Sequence, residues 1–255
     1  MSIIRHEIPI LEYDDNPAAA LEPRHENLNI KLPEKAVFAF LYDAVDLYAK
    51  AHGCKIVSEF ISATKTYPIY VVEYNGEEVC MVQAPVGASA AVQILDWLIG
   101  YGVRKIISAG SCGTLVDIEE NVFLVPTKAL RDEGTSYHYL PPSRFVEING
   151  EALAAIKKAL SASGQKYREV MTWSTDGFFR ETSEKVNYRI SEGCSVVEME
   201  CAALAACAEF RNITWGEILY TADSLADVED HDDRDWGEKS REFALLLCLE
   251  SLANL

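Results

Sequence analysis

With 255 residues, 49% of them hydrophobic and 25% charged, the chain has the composition of an ordinary globular protein with a substantial core. Its formal net charge of −17 argues against a surface built for nucleic acid or an anionic membrane, and it poses a problem for any enzyme that must hold phosphate. No apolar run reaches the roughly 18 residues of a membrane helix, the start Met1–Glu7 is charged where a signal peptide is apolar, and the seven cysteines include no CxxC pair; a cytoplasmic protein with free thiols and no metal centre is expected.

Residues 1–35 carry Pro9, Pro17, Pro23 and Pro33 and read as an irregular extension laid over the core or over a neighbouring subunit. From residue 36 to 255 the pattern is that of one domain. Ala36–Leu41 reads as a buried strand and Asp43–Lys50 as a helix ending before Gly53. Tyr67–Glu73 and Glu77–Gln83 flank Asn75-Gly76, a strong hairpin signal. Ser89–Tyr101 reads as a buried helix, and Lys105–Ala109 as a strand running into a Gly110-Ser111-Cys112-Gly113 turn. Asn121–Val125 is a strand that Pro126 should end. Then follow a helix at Glu151–Ser163, a strand at Val170–Ser174, a helix at Glu181–Ile190, a strand at Ser195–Val197, a helix at Cys201–Phe210 and a strand at Glu217–Thr221. An acidic loop, Ala222–Asp235, precedes a long helix from Trp236 to Leu255. Strands alternating with helices indicate an α/β domain with a largely parallel sheet, to which the hairpin adds an antiparallel part.

Four stretches can carry chemistry. In Val197-Glu198-Met199-Glu200, an extended chain would point both carboxylates the same way, suiting adjacent hydroxyl donors such as the cis-diol of a ribose. Acids at a helix start are the equally weighted alternative. Gly110-Ser111-Cys112-Gly113 can bring backbone N–H groups close to an anion or a base; it is also one substitution from a GxSxG nucleophile elbow, which needs a downstream acid and histidine. Phe178 and Phe179 follow a strand end and can stack on a planar base or join the core. Asp223 stands at the carboxyl end of the last strand, the edge where α/β sheets collect ligands. The run Asp227, Glu229, Asp230, His231, Asp232, Asp233 and Asp235 lacks EF-hand spacing and reads as a solvated loop.

In this order, Pro85-Val86-Gly87-Ala88-Ser89, Ala109-Gly110-Ser111-Cys112-Gly113, Ser174-Thr175-Asp176-Gly177-Phe178-Phe179, Val197-Glu198-Met199-Glu200 and Thr221-Ala222-Asp223 resemble the nucleoside phosphorylase superfamily of purine nucleoside and uridine phosphorylases and related nucleosidases. The resemblance implies a single-domain three-layer α/β/α fold with a mixed, largely parallel central sheet. It implies a nucleoside phosphorylase, purine-preferring, that cleaves the N-glycosidic bond with inorganic phosphate as co-substrate and no cofactor. A nucleosidase using water and a non-catalytic nucleoside-binding protein are the alternatives. By carry-over, Glu200 and Met199 hold the ribose with Glu198 near the 2′-hydroxyl, Ser111 faces ribose or phosphate, Cys112 and Gly113 line the base pocket and Phe178 stacks on the base. Asp223 protonates the leaving base, Arg234 pairs with it, and His6 reaches a neighbour's 5′-hydroxyl. A homo-oligomer (dimer, trimer or hexamer) is implied.

The phosphate set is where the chain departs from the family. Asp46 and Ser108 stand where the family has arginines, leaving Lys65 (donated by a neighbouring subunit), Ser111 and Arg131 as the candidates for phosphate. If water attacks instead, a carboxylate should lie near C1′ as its base, with Asp43 or Asp46 the expected one.

Overall fold

The computed structural model describes residues 3–227 and 231–255, so Glu229 and Asp230 of the expected acidic loop lie outside the described residues. The apolar runs form a mixed sheet of ten strands: β1 (Lys35–Ala39), β2 (Lys55–Ile61), β3 (Thr66–Tyr74), β4 (Glu77–Gln83), β5 (Lys105–Thr114), β6 (Phe123–Asp132), β7 (Phe145–Glu147), β8 (Tyr167–Thr175), β9 (Val196–Glu198) and β10 (Thr214–Ser224). Between them lie α1 (Ala44–Ala51), α2 (Ala88–Gly100), α3 (Gly150–Ala162), α4 (Ser183–Ser191), α5 (Cys201–Phe210) and α6 (Arg241–Ala253). The strand order is β10-β6-β8-β9-β5-β1-β4-β3-β2, and β10 also pairs with β5, so five strands curl into a closed ring at one end of the sheet. Cys112, Ile118, Leu124, Val196 and Leu219 pack together there as a small separate core.

Helices cover both faces, which gives three layers. Nearly every side chain of α5 is buried, and its small residues let it lie against α2 in one core; α1, α3 and α6 share the other. The extension over residues 3–34 is irregular and lies on its own chain: Glu26 accepts from Trp97 Nε1 at 2.9 Å, and Arg211 Nη1 donates to Pro17 O at 3.1 Å. The hairpin forms at Asn75-Gly76, both left-handed (φ 52° and 81°), as a primed turn requires. Among the described residues no helix is long and apolar enough to cross a membrane.

Four boundaries differ from the sequence reading, each for a local reason. Gly110 to Gly113 are not a turn but the continuation of β5, held by parallel pairing to Leu219–Asp223 on one side and by Val197 on the other. That removes the nucleophile elbow, because Ser111 lies within a paired strand and not on a strand-to-helix turn. Strand β6 passes through Pro126 by a register shift between Pro126 and Lys128, which absorbs the missing N–H. The C-terminal helix starts at Arg241 and not at Trp236, because Arg234, Asp235, Trp236 and Gly237 all have left-handed φ (44° to 64°). β2 and β7, both at sheet margins, were not expected at all.

Candidate active site

The carboxyl ends of β1, β5 and β10 meet the β9–α5 junction around a cavity of about 560 Å³. Of the predicted residues, Ser111, Cys112, Gly113, Phe178, Glu198, Met199, Glu200 and Asp223 all line it.

Glu198 ends β9, buried. Its carboxylate accepts from Thr172 Oγ1 (3.1 Å), Ser174 Oγ (2.5 Å) and the backbone N–H groups of Glu200 and Cys201 (2.6 Å each). This holds the first N–H groups of α5, so the helix-start reading is realised in Glu198. Burial raises its pKa against the pull of these donors. Glu200 is no longer in the strand; it is the N-cap residue of α5, and its carboxylate accepts from Gly87 N–H at the entry to α2. Burial, then the charge of Glu198, pushes its pKa up to about 8.

Asp223 stands near the end of β10, buried, with His231 Nε2 2.9 Å from its Oδ2. Glycine at 113 is what allows this approach: a Cβ there would meet Asp223 Oδ1 at 3.1 Å. Phe178 remains half-exposed at the cavity, edge-on to Phe179 with ring centroids 5.0 Å apart. The Cys112 thiol bonds Tyr220 O at 3.5 Å, and burial raises its pKa well above the thiol range, so it acts as a small apolar surface.

Four predicted residues lie elsewhere. Arg234, expected to pair with Asp223, donates instead to Ile118 O (2.8 Å) and Asp232 Oδ2 (3.2 Å); His231 takes its place because the chain turns left-handed at 234. His6 is exposed on the N-terminal extension, its ring nitrogen 2.9 Å from Ile8 N. Lys65 sits over the Tyr67 ring (5.0 Å) on the exposed β2–β3 connection. Arg131, buried, donates to Ser136 Oγ, Pro141 O, Ser143 Oγ and Leu140 O at 2.7–3.1 Å, which ties down the loop after β6. Arg131→Ala leaves these acceptors unpaired and is expected to lower stability by about 2–4 kcal/mol, with nucleoside KM unchanged in the folded fraction. Urea titration and kinetics check this, and a KM that rises for phosphate alone would contradict it.

The two substituted arginine positions are also occupied. Ser108 is buried and accepts from Trp215 Nε1 at 3.0 Å; Asp46 accepts from Tyr70 Oη at 2.9 Å and does not line the cavity. Sequence reading missed two acids that do. Glu181 has its pKa pushed up to about 7 by burial and by Asp223. Glu217 is 2% exposed in mid-β10, its only warning being an acid inside the apolar run Trp215–Tyr220. The described lining thus holds five carboxyl groups and no lysine or arginine.

Known proteins agree with this architecture. The chain is 26% identical over 162 residues to a guanosine phosphorylase of Halorubrum lacusprofundi, covering 63% of this chain and 67% of that one. It is 25% identical to a uridine phosphorylase of Haemophilus influenzae, covering 48% of each. The stretch matched thus spans between about half and two thirds of these relatives' lengths. Among solved structures, an AMP nucleosidase from Bacteroides thetaiotaomicron superimposes with a TM-score of 0.71 (24% identity, 87% of this chain and 88% of that one). A purine nucleoside phosphorylase from Toxoplasma gondii gives 0.73 (19% identity, 88% and 92%). The sequence model of the phosphorylase superfamily matches residues 37–253, and the chain, with its ring-closed sheet, belongs to that superfamily.

Proposed function

We propose that the chain cleaves the N-glycosidic bond of a purine nucleoside, with water as the attacking group. The observation that carries this is the cavity's lining: five carboxyl groups and no lysine or arginine among the described lining residues. A phosphate dianion is held by bidentate, charge-assisted donors, and these lining residues supply none. An oxocarbenium-like sugar is cationic, and each ionised carboxylate of this wall favours it. In this reading Glu200 and Met199 hold the ribose, Phe178 stacks on the base, and Asp223 delivers a proton to the leaving base. Asp223 is what favours a purine, because N7 offers a site for that proton. No cofactor enters; the chain works as a cytoplasmic homo-oligomer, and its seven free cysteines suit a reducing setting.

The second reading is phosphorolysis, supported by the similarity to a guanosine phosphorylase and a uridine phosphorylase. Incubation with inosine, guanosine, adenosine and uridine, with and without phosphate, separates the two. Ribose and free base released at the same rate without phosphate is the expected result. Ribose 1-phosphate formed only when phosphate is present would establish phosphorolysis instead, and binding of a nucleoside with no turnover of any would mark a binding protein.

A further inference from the structure

Of the carboxyl groups buried in the cavity wall, three are already engaged: Glu198 by four donors, Glu200 by Gly87 N–H and Asp223 by His231. Glu217 differs. Its Oε2 is buried, lies in a side chain that lines the cavity, and has no hydrogen-bond partner. A buried carboxyl oxygen left unpaired is costly to fold around, and one carried by a side chain of a cavity wall marks a place for a ligand donor. The rest of the group meets the Cys201 thiol at the start of α5, next to Glu200, so Glu217 belongs to the sugar end of the cavity. Asp223 stands six residues further along β10, roughly 20 Å of extended strand.

We propose that Glu217 is the base for the attacking water, an assignment that rests on the hydrolytic reading above. Its Oε2 accepts a hydrogen bond from the water and takes that water's proton as the C1′–O bond forms. The C1′–N bond breaks, its electron pair leaves with the purine, and the purine gains the proton held by Asp223. Neither Asp43 nor Asp46, the carboxylates expected for this task from sequence, lines the cavity.

The groups facing Glu217 are Glu198 of β9, Glu200 and Cys201 at the start of α5, Cys112 of β5 and Cys248 of α6. Burial and the charges of Glu198 and Glu200 hold its proton well above the ordinary carboxyl range. Only the ionised form accepts a proton, so the limb of the pH profile that Glu217 sets is a rising one.

Glu217→Gln keeps the shape and removes the base. Phosphate-free ribose release from inosine should fall at least about 100-fold in kcat with KM within about threefold, and the rising limb of its pH profile should vanish. A variant retaining more than about a third of wild-type kcat overturns the assignment. So does a wild-type pH profile with no rising limb, a measurement independent of whether the variant folds. A wild type that releases base only with phosphate overturns the hydrolytic reading itself; hydrolysis unaffected by Glu217→Gln overturns the role of Glu217 alone.

Discussion

Asp223→Asn should lower kcat for inosine by about 10²–10⁴-fold while KM shifts no more than a few-fold. The substitution is isosteric, and an amide oxygen at the same place still accepts from His231, which lies 2.9 Å from Asp223 Oδ2 in the wild type. The wall formed by Gly113 and Val197 is unchanged as well. What disappears is a proton acidic enough to give to N7 as the base departs, an interaction that matters only in the transition state. A riboside whose leaving group departs without protonation, such as p-nitrophenol, should therefore lose far less. Equal losses of binding and turnover, or equal losses for both leaving groups, would reduce Asp223 to a structural residue.

Much of this site was legible because its parts stand at strand ends, where sequence pattern and ligand geometry coincide. Val197-Glu198-Met199-Glu200 and Thr221-Ala222-Asp223 each place an acid just after an apolar run, and all three acids line the cavity. Of the two competing readings of Glu198 and Glu200, the helix start is realised in Glu198, which caps α5, while Glu200 lines the cavity from the N-cap position. Glu217 was not legible, because an acid between apolar neighbours looks like a break in a strand, and only the pairing of β10 with β5 turns it to the cavity. Arg131 misled for the opposite reason. Its charge suggests an anion site, but its four acceptors come from residues 136–143, a loop whose path no periodicity predicts. The pairing of Asp223 with His231 and not with Arg234 depends on four consecutive left-handed residues, only one of them glycine.

The acid wall should also show in stability. Between about pH 5 and pH 9 the folded chain should lose stability, and Glu200→Gln should remove up to about 4 kcal/mol of that loss. In the unfolded chain Glu200 ionises near its ordinary value of 4.5, whereas folding pushes it up to about 8. Across that interval the folded state holds a proton that the unfolded state has released, so stability is fully present below the lower value and is lost as pH rises toward the upper one. A shift of this size corresponds to about 1.4 kcal/mol per unit, with part of the effect shared with Glu198, whose pKa burial also raises. Urea unfolding of both proteins at pH 5, 7 and 9 measures it, and a variant with the wild-type pH slope would sink the attribution. The same variant should bind ribose less well, because an amide accepts fewer hydroxyl donors than a carboxylate. Greater stability at alkaline pH together with a weaker KM is the pairing expected of a carboxyl that the fold keeps buried for a ligand's hydroxyls and not for its own packing.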